Sequence, residues 1–589
     1  MVTYNLLKTQ SMTKARVYFH EEYADKVLIK IIEAGILHLT NSMETFRSFE
    51  PQVRSVEPSD KLFRVTSIIS RLSEFLSHVN LNDFASPTSE IKVMRQEEID
   101  TIDSELREVE ETYSSMGEDL EEYERKKRFS DISKKYGERI VHWNHQLKLA
   151  RLVEEAKSKA ARTNKTLIIE GWIPTNKRKE FTEAVEKGAE GYSAILFMDP
   201  VNEATKKCKI DEMQSNETEH GPDRYPHASE CFETPPSMIK NPKIAYVYEK
   251  IVTGFGLPNY YEVDPTIFMT ISFPVIFGLM FGDVGHGLLL LFFSVLLYFI
   301  NKKGVETSEL FEYMLKGSPL LIMCSIAAIF FGFLYGELFG SELYFHILDL
   351  NIHEIFGLSV LAIVEGSSHA LESVLSEIAG FSIPIPFPFS PFENPMVLLL
   401  ISLYVAIIQI TFGLILGLIN ELRTGDIREA ILGPGLWLWF YSSCAYLFLR
   451  YKSELLTVVF QRADILAIYI ILPALVMVVA RTAIHGMDGF GHALESLISS
   501  LSNSISYGRI LALALTHGAF SKLLLMFLEF EGTVMAIIGF IMWAFFTFLL
   551  IICFEGLLSF IQTLRLHWVE WFLKFYSGDG YEYKPLAIK

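Results

Sequence analysis

Two arginines lie inside long apolar stretches of the sequence. Arg509 lies in SNSISYGRILALALTHGAFSKLLLMFLEF, and Arg565 lies towards the end of FEGLLSFIQTLRLHWVEWF. A charged side chain at the centre of a membrane-spanning helix costs roughly 2.5 to 3.5 kcal/mol on insertion scales, so each arginine needs a partner, a water-filled cavity or a function. A side chain that reaches from a helix end to the bilayer surface is the alternative, and it fits Arg565 better than Arg509.

Polar residues near Arg509 share one face of its predicted helix. Glu495 precedes Arg509 by fourteen residues, a separation of about 21 Å at roughly 1.5 Å per residue. The two side chains are therefore on one face but too far apart for an ion pair. His517 lies beyond Arg509, displaced somewhat around the helix. A row of this kind is typical of the wall of a hydrated path: Glu495, Ser499, Ser502, Ser506, Arg509 and His517.

The residue types in this row can handle protons in different ways. Carboxylates and imidazoles can exchange protons with water, because their pKa values can be moved towards neutrality. A guanidinium keeps its charge at any relevant pH and blocks direct proton transfer. Glu555, ten residues before Arg565, adds an acidic group to the last helix. A core histidine that is hydrogen-bonded to a neighbour is the alternative for His517.

Asp283 and His286, in MFGDVGHG, are candidates for a supporting role. Hydrogen bonds from these side chains can orient the connection between the first two predicted spans, and a direct role in ion transfer is the alternative. Glu337 and Gln409 are also polar residues in apolar surroundings, and the sequence assigns them no role.

The composition divides the 589-residue chain into two parts in different solvents. Residues 1–265 are rich in charged residues, and residues 266–575 consist of long apolar runs. A net charge of −18 argues against a nucleic-acid partner, which would need clustered Lys and Arg. The five cysteines are scattered, and the polar half has no phosphate-binding or dinucleotide-binding glycine motif. We therefore predict no catalytic residue, no cofactor and no metal site.

The apolar half predicts about eight membrane spans, since roughly 20 apolar residues cross the hydrocarbon core. The last two are long enough to tilt strongly or extend beyond the bilayer. Lysines and arginines in short connections place both termini on the cytoplasmic side, and the long segment 341–395, which has no Lys or Arg, on the other side. The predicted spans are near 267–281, 284–300, 314–340, 396–420, 431–449, 464–480, 492–528 and 533–564.

The polar half predicts a cytoplasmic helical arm between two small α/β lobes. Strand-like and helix-like runs alternate in residues 1–60 and again in 161–205, and residues 206–265 are a return and linker. In the arm, 61–160, apolar residues at spacings of three and four predict an antiparallel coiled coil within the chain, with an intermolecular zipper as the alternative. This seam consists of Ile99, Ile102, Leu106, Val109, Tyr113, Met116, Leu120 and Tyr123.

Four motifs resemble those of the a/I subunit of vacuolar-type and archaeal-type rotary ATPases. They are FPVIFGLMFGDVGHGLLLL (273–291), SYGRILALALTHGAFS (506–521), RLHWVEWFLKFYSGDGYEYKP (565–585) and EGWIP (170–174). The resemblance covers nearly the whole chain. It implies a mostly helical, non-catalytic stator subunit that forms ion half-channels, for protons or sodium, against a rotor ring. It also implies that Arg509 is the essential arginine, that Arg565 is a second functional arginine, and that Glu495, His517 and Glu555 line the half-channels.

The same resemblance implies the partners and the location. The partners would be rotor-ring (c/K) subunits, peripheral-stalk E/G(H)-type subunits, a central-stalk d/C-type subunit and the lipid bilayer. The chain is shorter than the eukaryotic members, so the resemblance implies the plasma membrane of an archaeon or bacterium. Two other functions are left open: a self-contained secondary transporter, for which internal repeats would be expected, and a non-transporting scaffold with a dimeric coiled coil.

Overall fold

The computed structural model describes eleven stretches of the chain and divides it into two compact units. An N-terminal unit comprises residues 10–238 together with 582–589, and an apolar unit comprises 1–9 and 239–581. The described stretches are 9–42, 53–76, 94–114, 122–200, 234–303, 308–340, 391–392, 394–424, 427–451, 461–529 and 533–588.

The N-terminal unit contains one six-stranded sheet. Its strands are β1 (Met12–His20), β2 (His38–Leu39), β3 (Arg54–Ser55), β4 (Ala161–Arg162), β5 (Thr166–Pro174) and β6 (Ser193–Met198). The order is β3-β4-β5-β1-β6, with β2 also paired to β5. Strand β1 lies between β5 and β6 and is antiparallel to both. Helices α1 (Ala24–Ala34) and α5 (Arg178–Ala189) contribute buried side chains to a core shared with these strands.

The prediction of two separate lobes is therefore wrong. The two strand–helix runs are neighbours in one sheet, because β1 pairs with β5 along its whole length. Each run has an apolar face too small to form its own core, and packing the two runs together buries both faces in one cluster. The local pattern of apolar and polar residues cannot predict the pairing of β1 with β5, since this pairing joins residues about 150 positions apart.

The arm between these strands consists of α2 (Asp60–Leu76), α3 (Gln96–Ser114) and α4 (Glu122–Ser158). Ion pairs Arg64–Asp100 at 3.0 Å and Arg71–Asp103 at 2.6 Å show that α2 and α3 run parallel. Lys61 lies near Glu154, so α4 runs antiparallel to α2. The predicted seam positions Ile99, Ile102, Leu106 and Val109 are buried against these helices of the same chain. The side chains of Tyr113, Met116, Leu120 and Tyr123 lie outside the described residues.

The C-terminal segment after Tyr581 also packs in the N-terminal unit. The Leu586 amide donates to the Leu37 carbonyl at 2.8 Å, and the Lys584 amide donates to His38 Nδ1 at 2.9 Å. Leu586 and Ile588 contact the core that β1 and α1 form. The segment therefore completes the fold of the unit that the N-terminal strand begins.

The apolar unit is helical throughout most of its described length. Its helices are α6 (Tyr246–Phe255), α7 (Thr266–Met280), α8 (Val284–Lys302), α9 (Glu309–Lys316), α10 (Ser318–Tyr335), α11 (Pro395–Thr424), α12 (Leu436–Tyr451), α13 (Leu472–Ser506), α14 (Gly508–Leu525), α15 (Thr533–Phe546) and α16 (Gly556–Arg565). π-Helical segments precede α12 and α13, join α15 to α16, and continue α16 over Leu566–Trp571.

Five continuous helices of the described residues are long and apolar enough to cross a membrane. They are Val284–Lys302, Ser318–Tyr335, Pro395–Arg423, Ala463–Glu529 and Thr533–Lys574. The other predicted spans fall on shorter helices, α7 and α12, or on part of the 67-residue helix, which a left-handed residue at Gly486 divides. Eight spans thus stay a prediction. Most of the predicted outer segment 341–395 lies outside the described residues.

Candidate functional site

Arg509 lies in the first turn of α14 and is held by a buried carboxylate. Its Nη1 lies 3.1 Å from Glu570 Oε1, and its Nη2 donates to Ser506 Oγ at 3.2 Å. Glu570 is 2% exposed, whereas Arg509 keeps about a quarter of its side chain exposed. Part of the guanidinium can therefore face a group outside this chain while Glu570 fixes its position.

The residue before α14 anchors this helix in the apolar unit. Tyr507 is fully buried, and its hydroxyl donates to Gln409 Oε1 of α11 at 3.0 Å. This bond gives Gln409, which the sequence left without a role, a function in positioning the start of α14. Because Tyr507 lies two residues from Arg509, the same bond restrains the position of the arginine.

Glu495 lies on α13 at the wall of an open cavity. Its side chain is 75% exposed, and its Oε2 lies 3.6 Å from His492 Nδ1. The cavity has a volume of about 960 Å³ and is lined by α13, the connection before α12 and the chain after Leu566. Ser496, Ser499 and Asn503 continue its wall towards Arg509. Of the predicted row, Glu495 and Ser499 therefore line one cavity, and a hydrated path along the whole row stays a prediction.

The carboxyl group of Glu262 lines the same cavity from the segment before α7. Burial raises its pKa, while donors from Ser577 and Asn259 lower it. The carboxylate accepts from the Ser577 amide at 2.8 Å and from the Asn259 amide at 2.9 Å. Glu262 therefore connects the segment after the last helix to the segment that precedes α7.

Arg481 is a buried arginine to which the sequence assigns no role in the site. It is 8% exposed and donates to the Leu432 carbonyl at 2.7 Å, the Gly433 carbonyl at 2.6 Å and Ser496 Oγ at 2.9 Å. Gly486, with φ of +64°, interrupts the helix five residues later. Arg481 therefore fixes the half of α13 that carries Glu495. An arginine at the end of an apolar run and before the glycine-rich HGMDGFG could have indicated this role.

His517 and Glu555 form a buried pair on the other side of Arg509 along the chain. His517 Nδ1 lies 3.2 Å from Glu555 Oε2, and the two side chains are 2% and 4% exposed. Glu555 ends the π-helical segment Thr547–Glu555, and the extra residue of such a segment changes which side chains face inward. The structure therefore brings together two residues that are 38 positions apart.

Asp283 and His286 lie against this pair. The rings of His286 and His517 are 5.1 Å apart and perpendicular, and His286 Nδ1 lies 3.3 Å from Asp283 Oδ2. Asp283 begins α8 and accepts the amides of His286, Phe339 and Gly340. Asp283 therefore caps α8 and holds the segment after α10, and its supporting role in ion transfer stays a prediction.

Arg565 does not join either polar group. Its side chain is exposed, and within the described residues no ion pair involves it. The next polar residue, His567, is fully buried and bonded to Ser272 through Nε2 at 2.8 Å. The structure thus separates three sites: the Glu495 cavity, the Arg509–Glu570 pair, and the His517–Glu555 pair with Asp283 and His286.

A family model describes most of this chain. The model of the V-type ATPase 116kDa subunit family matches residues 61–352 and 486–588, which is more than half of the sequence. The chain belongs to this family. The second matched range contains Glu495, Arg509, His517, Glu555, Arg565 and Glu570, and the first contains Asp283 and His286. Arg481 lies just outside the match.

Individual members of the 116kDa subunit family share about a quarter of the aligned residues with this chain. The chain is 25% identical to the A-type ATP synthase subunit I of Methanocaldococcus jannaschii, over 89% of this chain and 69% of that protein. It is 25% identical to the V-type proton ATPase subunit a1 of Arabidopsis thaliana, over 72% and 58%. It is 23% identical to the V-type proton ATPase 116 kDa subunit a 3 of Homo sapiens, over 68% and 61%. The chain thus spans less than two thirds of the two eukaryotic relatives.

Proposed function

We propose that this chain is the membrane stator subunit of a rotary ATPase or ATP synthase. Its C-terminal helices would form two offset ion half-channels against a ring of rotor subunits. The observation that carries the proposal is the separation of polar groups along α13 and α14. Glu495 lies at an open cavity, the Arg509–Glu570 pair comes next, and the buried His517–Glu555 pair follows.

Arg509 is suited to the position between two half-channels. An ionised rotor carboxylate that passes the exposed part of its guanidinium is stabilised in the charged form, so it releases its ion before it meets the next half-channel. The guanidinium itself cannot carry a proton across. Glu570 holds the arginine in place and offsets its charge, which lowers the cost of an arginine at membrane depth. Arg565 would be a second cation that faces the rotor.

One feature supports the orientation with both termini in the cytoplasm. Residues Glu582 to Ile588 pack in the same unit as strand β1, so these two parts of the chain would lie on one side of the bilayer. The Glu495 cavity would open to the cytoplasm, and the His517–Glu555 pair would serve the opposite side.

The role needs partners that supply chemistry and rotation. The rotor ring would pack against the exposed apolar face of α13 and α14, and the arm α2–α4 would contact peripheral-stalk E/G(H)-type subunits. A central-stalk d/C-type subunit would lie near the N-terminal unit. The chain itself would be non-catalytic, and ATP would be handled by other subunits. The location would be the plasma membrane of an archaeon or bacterium, with multiple spans in the bilayer.

Ion pumping driven by ATP tests the role of Arg509. The assembled complex is reconstituted in vesicles, and Arg509→Ala is compared with the wild type and with Arg450→Ala, an exposed arginine at the end of α12. We expect Arg509→Ala to abolish pumping with assembly intact on a native gel, and Arg450→Ala to pump normally. Normal pumping by Arg509→Ala would refute the proposal and favour a scaffold.

Access of water-soluble reagents tests the half-channels. In a cysteine-free background, Ser499→Cys lies on the Glu495 cavity, and Thr516→Cys replaces the partly exposed residue next to His517. We expect a membrane-impermeant thiol reagent to block pumping from the cytoplasmic side in the first variant and from the opposite side in the second. Modification of both from the same side would refute two offset half-channels.

A further inference from the structure

The polar group at the start of α8 has the composition of a metal site. One ligand atom each from Asp283, His286 and His517 lies within 4.8 Å of the other two, and all three residues are buried. Two imidazoles and a carboxylate are the donor set that Zn²⁺ accepts in proteins. No sequence motif predicts this site, because the third donor, His517, lies on α14, 231 positions after His286.

The distances in this group suit a small divalent cation. Four ligands at about 2.0–2.1 Å from Zn²⁺ in a tetrahedral site lie roughly 3.3 Å from one another. His286 Nδ1 and Asp283 Oδ2 are already 3.3 Å apart. The largest separation among the three ligand atoms, at most 4.8 Å, would close by about 1.5 Å, which a rotation of the His517 ring can supply.

Several polar atoms here make no well-aligned hydrogen bond in the described structure. His286 Nδ1 pairs only with Asp283 Oδ2, and His517 Nδ1 only with Glu555 Oε2, while His517 Nε2 and Glu555 Oε1 have no hydrogen-bonding partner among the described residues. Asp283 has about four acceptor positions, and three backbone amides occupy only three of them. Buried polar atoms without partners are costly, so this group is short of one ligand that its own side chains do not provide.

The excess of buried negative charge also favours a divalent ion. Asp283, Glu555 and the buried Glu337 supply three carboxylates around His517, and neutral imidazoles supply no charge, so a bound dication offsets two of the three negative charges. Glu555, 3.2 Å from His517 Nδ1, is placed where carboxylates hold the second nitrogen of a metal-bound histidine. Burial of carboxylates beside a bound cation costs less than burial of the same carboxylates without one.

The geometry points to a Zn²⁺ site formed by Asp283, His286 and His517, whose occupation stops ion transfer at the His517–Glu555 pair. The three ligands leave one coordination position open, as in exchangeable zinc sites. Binding is a property of these residues alone, whereas the block rests on the proposed function of His517 and Glu555. The site would make the stator sensitive to a transition metal on the side opposite the Glu495 cavity.

Metal binding is measured first, on the purified complex without a histidine tag. A chelator removes bound metal from the complex, which is then transferred into buffer with a known free Zn²⁺ concentration. We expect one high-affinity Zn²⁺ for each copy of this chain, an affinity lowered more than about tenfold by His286→Ala, and recovery with His286→Cys, which restores a ligand. The matched control is His20→Ala, which removes an exposed histidine of the N-terminal unit. Equal binding by wild type and His286→Ala would overturn the site.

Zn²⁺ titration of ATP-driven pumping then separates the two proposals. We expect inhibition of the wild type and of His20→Ala at the Zn²⁺ concentration that fills the site, and weaker inhibition of whatever pumping His286→Ala retains. Binding without inhibition in a pumping complex would overturn the block and leave the site in place. Normal pumping by Arg509→Ala, measured beside it, would instead overturn the proposed function while the binding result stands.

Discussion

The side chain of Arg481 offers the sharpest test of how the Glu495 cavity is built. Replacement by Met removes the guanidinium and keeps an apolar side chain of similar length. Two of its bonds, to the Leu432 carbonyl and to Ser496 Oγ, are buried, and two, to Gly433 and His492, are part-buried. Water from the cavity can replace the bonds to Gly433 and His492, but it cannot replace the buried bonds to Leu432 and Ser496.

The expected loss of stability follows from the two buried bonds. Hydrogen bonds from a charged donor contribute roughly 1.5–3 kcal/mol each, and removal of the buried charge returns part of the desolvation cost. We therefore expect Arg481→Met to destabilise the apolar unit by about 3 kcal/mol. With an unfolding entropy of about 2.1 cal/mol/K per residue, a unit of this length would lose roughly 4 °C in Tm.

The assay is thermal denaturation of the purified complex, followed by size-exclusion chromatography of the heated sample. Arg481→Lys should fall between wild type and Arg481→Met, because one ammonium cannot reach four acceptors that lie on two segments. Arg450→Met is the control, since its arginine is exposed at the end of α12. If Arg481→Met has the same Tm as the control and pumps normally, Arg481 does not hold the part of α13 that carries Glu495.

Three further predictions test other parts of the structure. Arg509→Ala leaves Glu570 buried without its partner and should cost about 3–5 kcal/mol, and adding Glu570→Gln should recover the Tm but not the pumping, measured on the same vesicles. Leu586→Asp places a charge in the core of the N-terminal unit and should speed amide exchange in α1, with Glu582→Gln, an exposed position, as the unaffected control. Burial lowers the pKa of His38 below its ordinary 6.5, so the folded state binds fewer protons there than the unfolded chain. The stability of the C-terminal contact should therefore fall as pH drops below about 6.5. Hydrogen exchange of the Leu586 amide, corrected for the intrinsic rate, should show this loss of stability in the wild type and not in His38→Gln.

Residue types and their spacing were enough to find most of the polar groups. Charged and imidazole side chains in apolar runs are rare because they are costly, so Arg509, His517 and Glu555 stand out from composition alone. The long apolar runs likewise predict membrane helices, and five of these are long enough in the described structure. The apolar seam of the arm follows from a spacing of three and four residues, and its positions Ile99, Ile102, Leu106 and Val109 are buried.

The partners of these groups depend on contacts between distant segments. The pairing of β1 with β5 merges two expected lobes into one sheet, and nothing local distinguishes that outcome from two small units. Glu570 is in the same motif as Arg565 but pairs with Arg509, because the π-helical segment Leu566–Trp571 changes the face that each side chain takes. Regular helical spacing would have placed it elsewhere.

The sequence by itself determined which residues can carry charge inside the membrane, and the tertiary structure decided what each one faces. A periodic pattern reports the face of a single helix, so it placed Glu495, Ser499 and Arg509 in one row. It carries no information on which helix packs against that face, and the buried His517–Glu555 pair, its neighbour Asp283 and the bonds of Arg481 all join different helices. Those contacts are fixed by packing of the whole unit, where glycines such as Gly332, whose added Cβ would lie 2.4 Å from the Val284 amide, let two backbones meet.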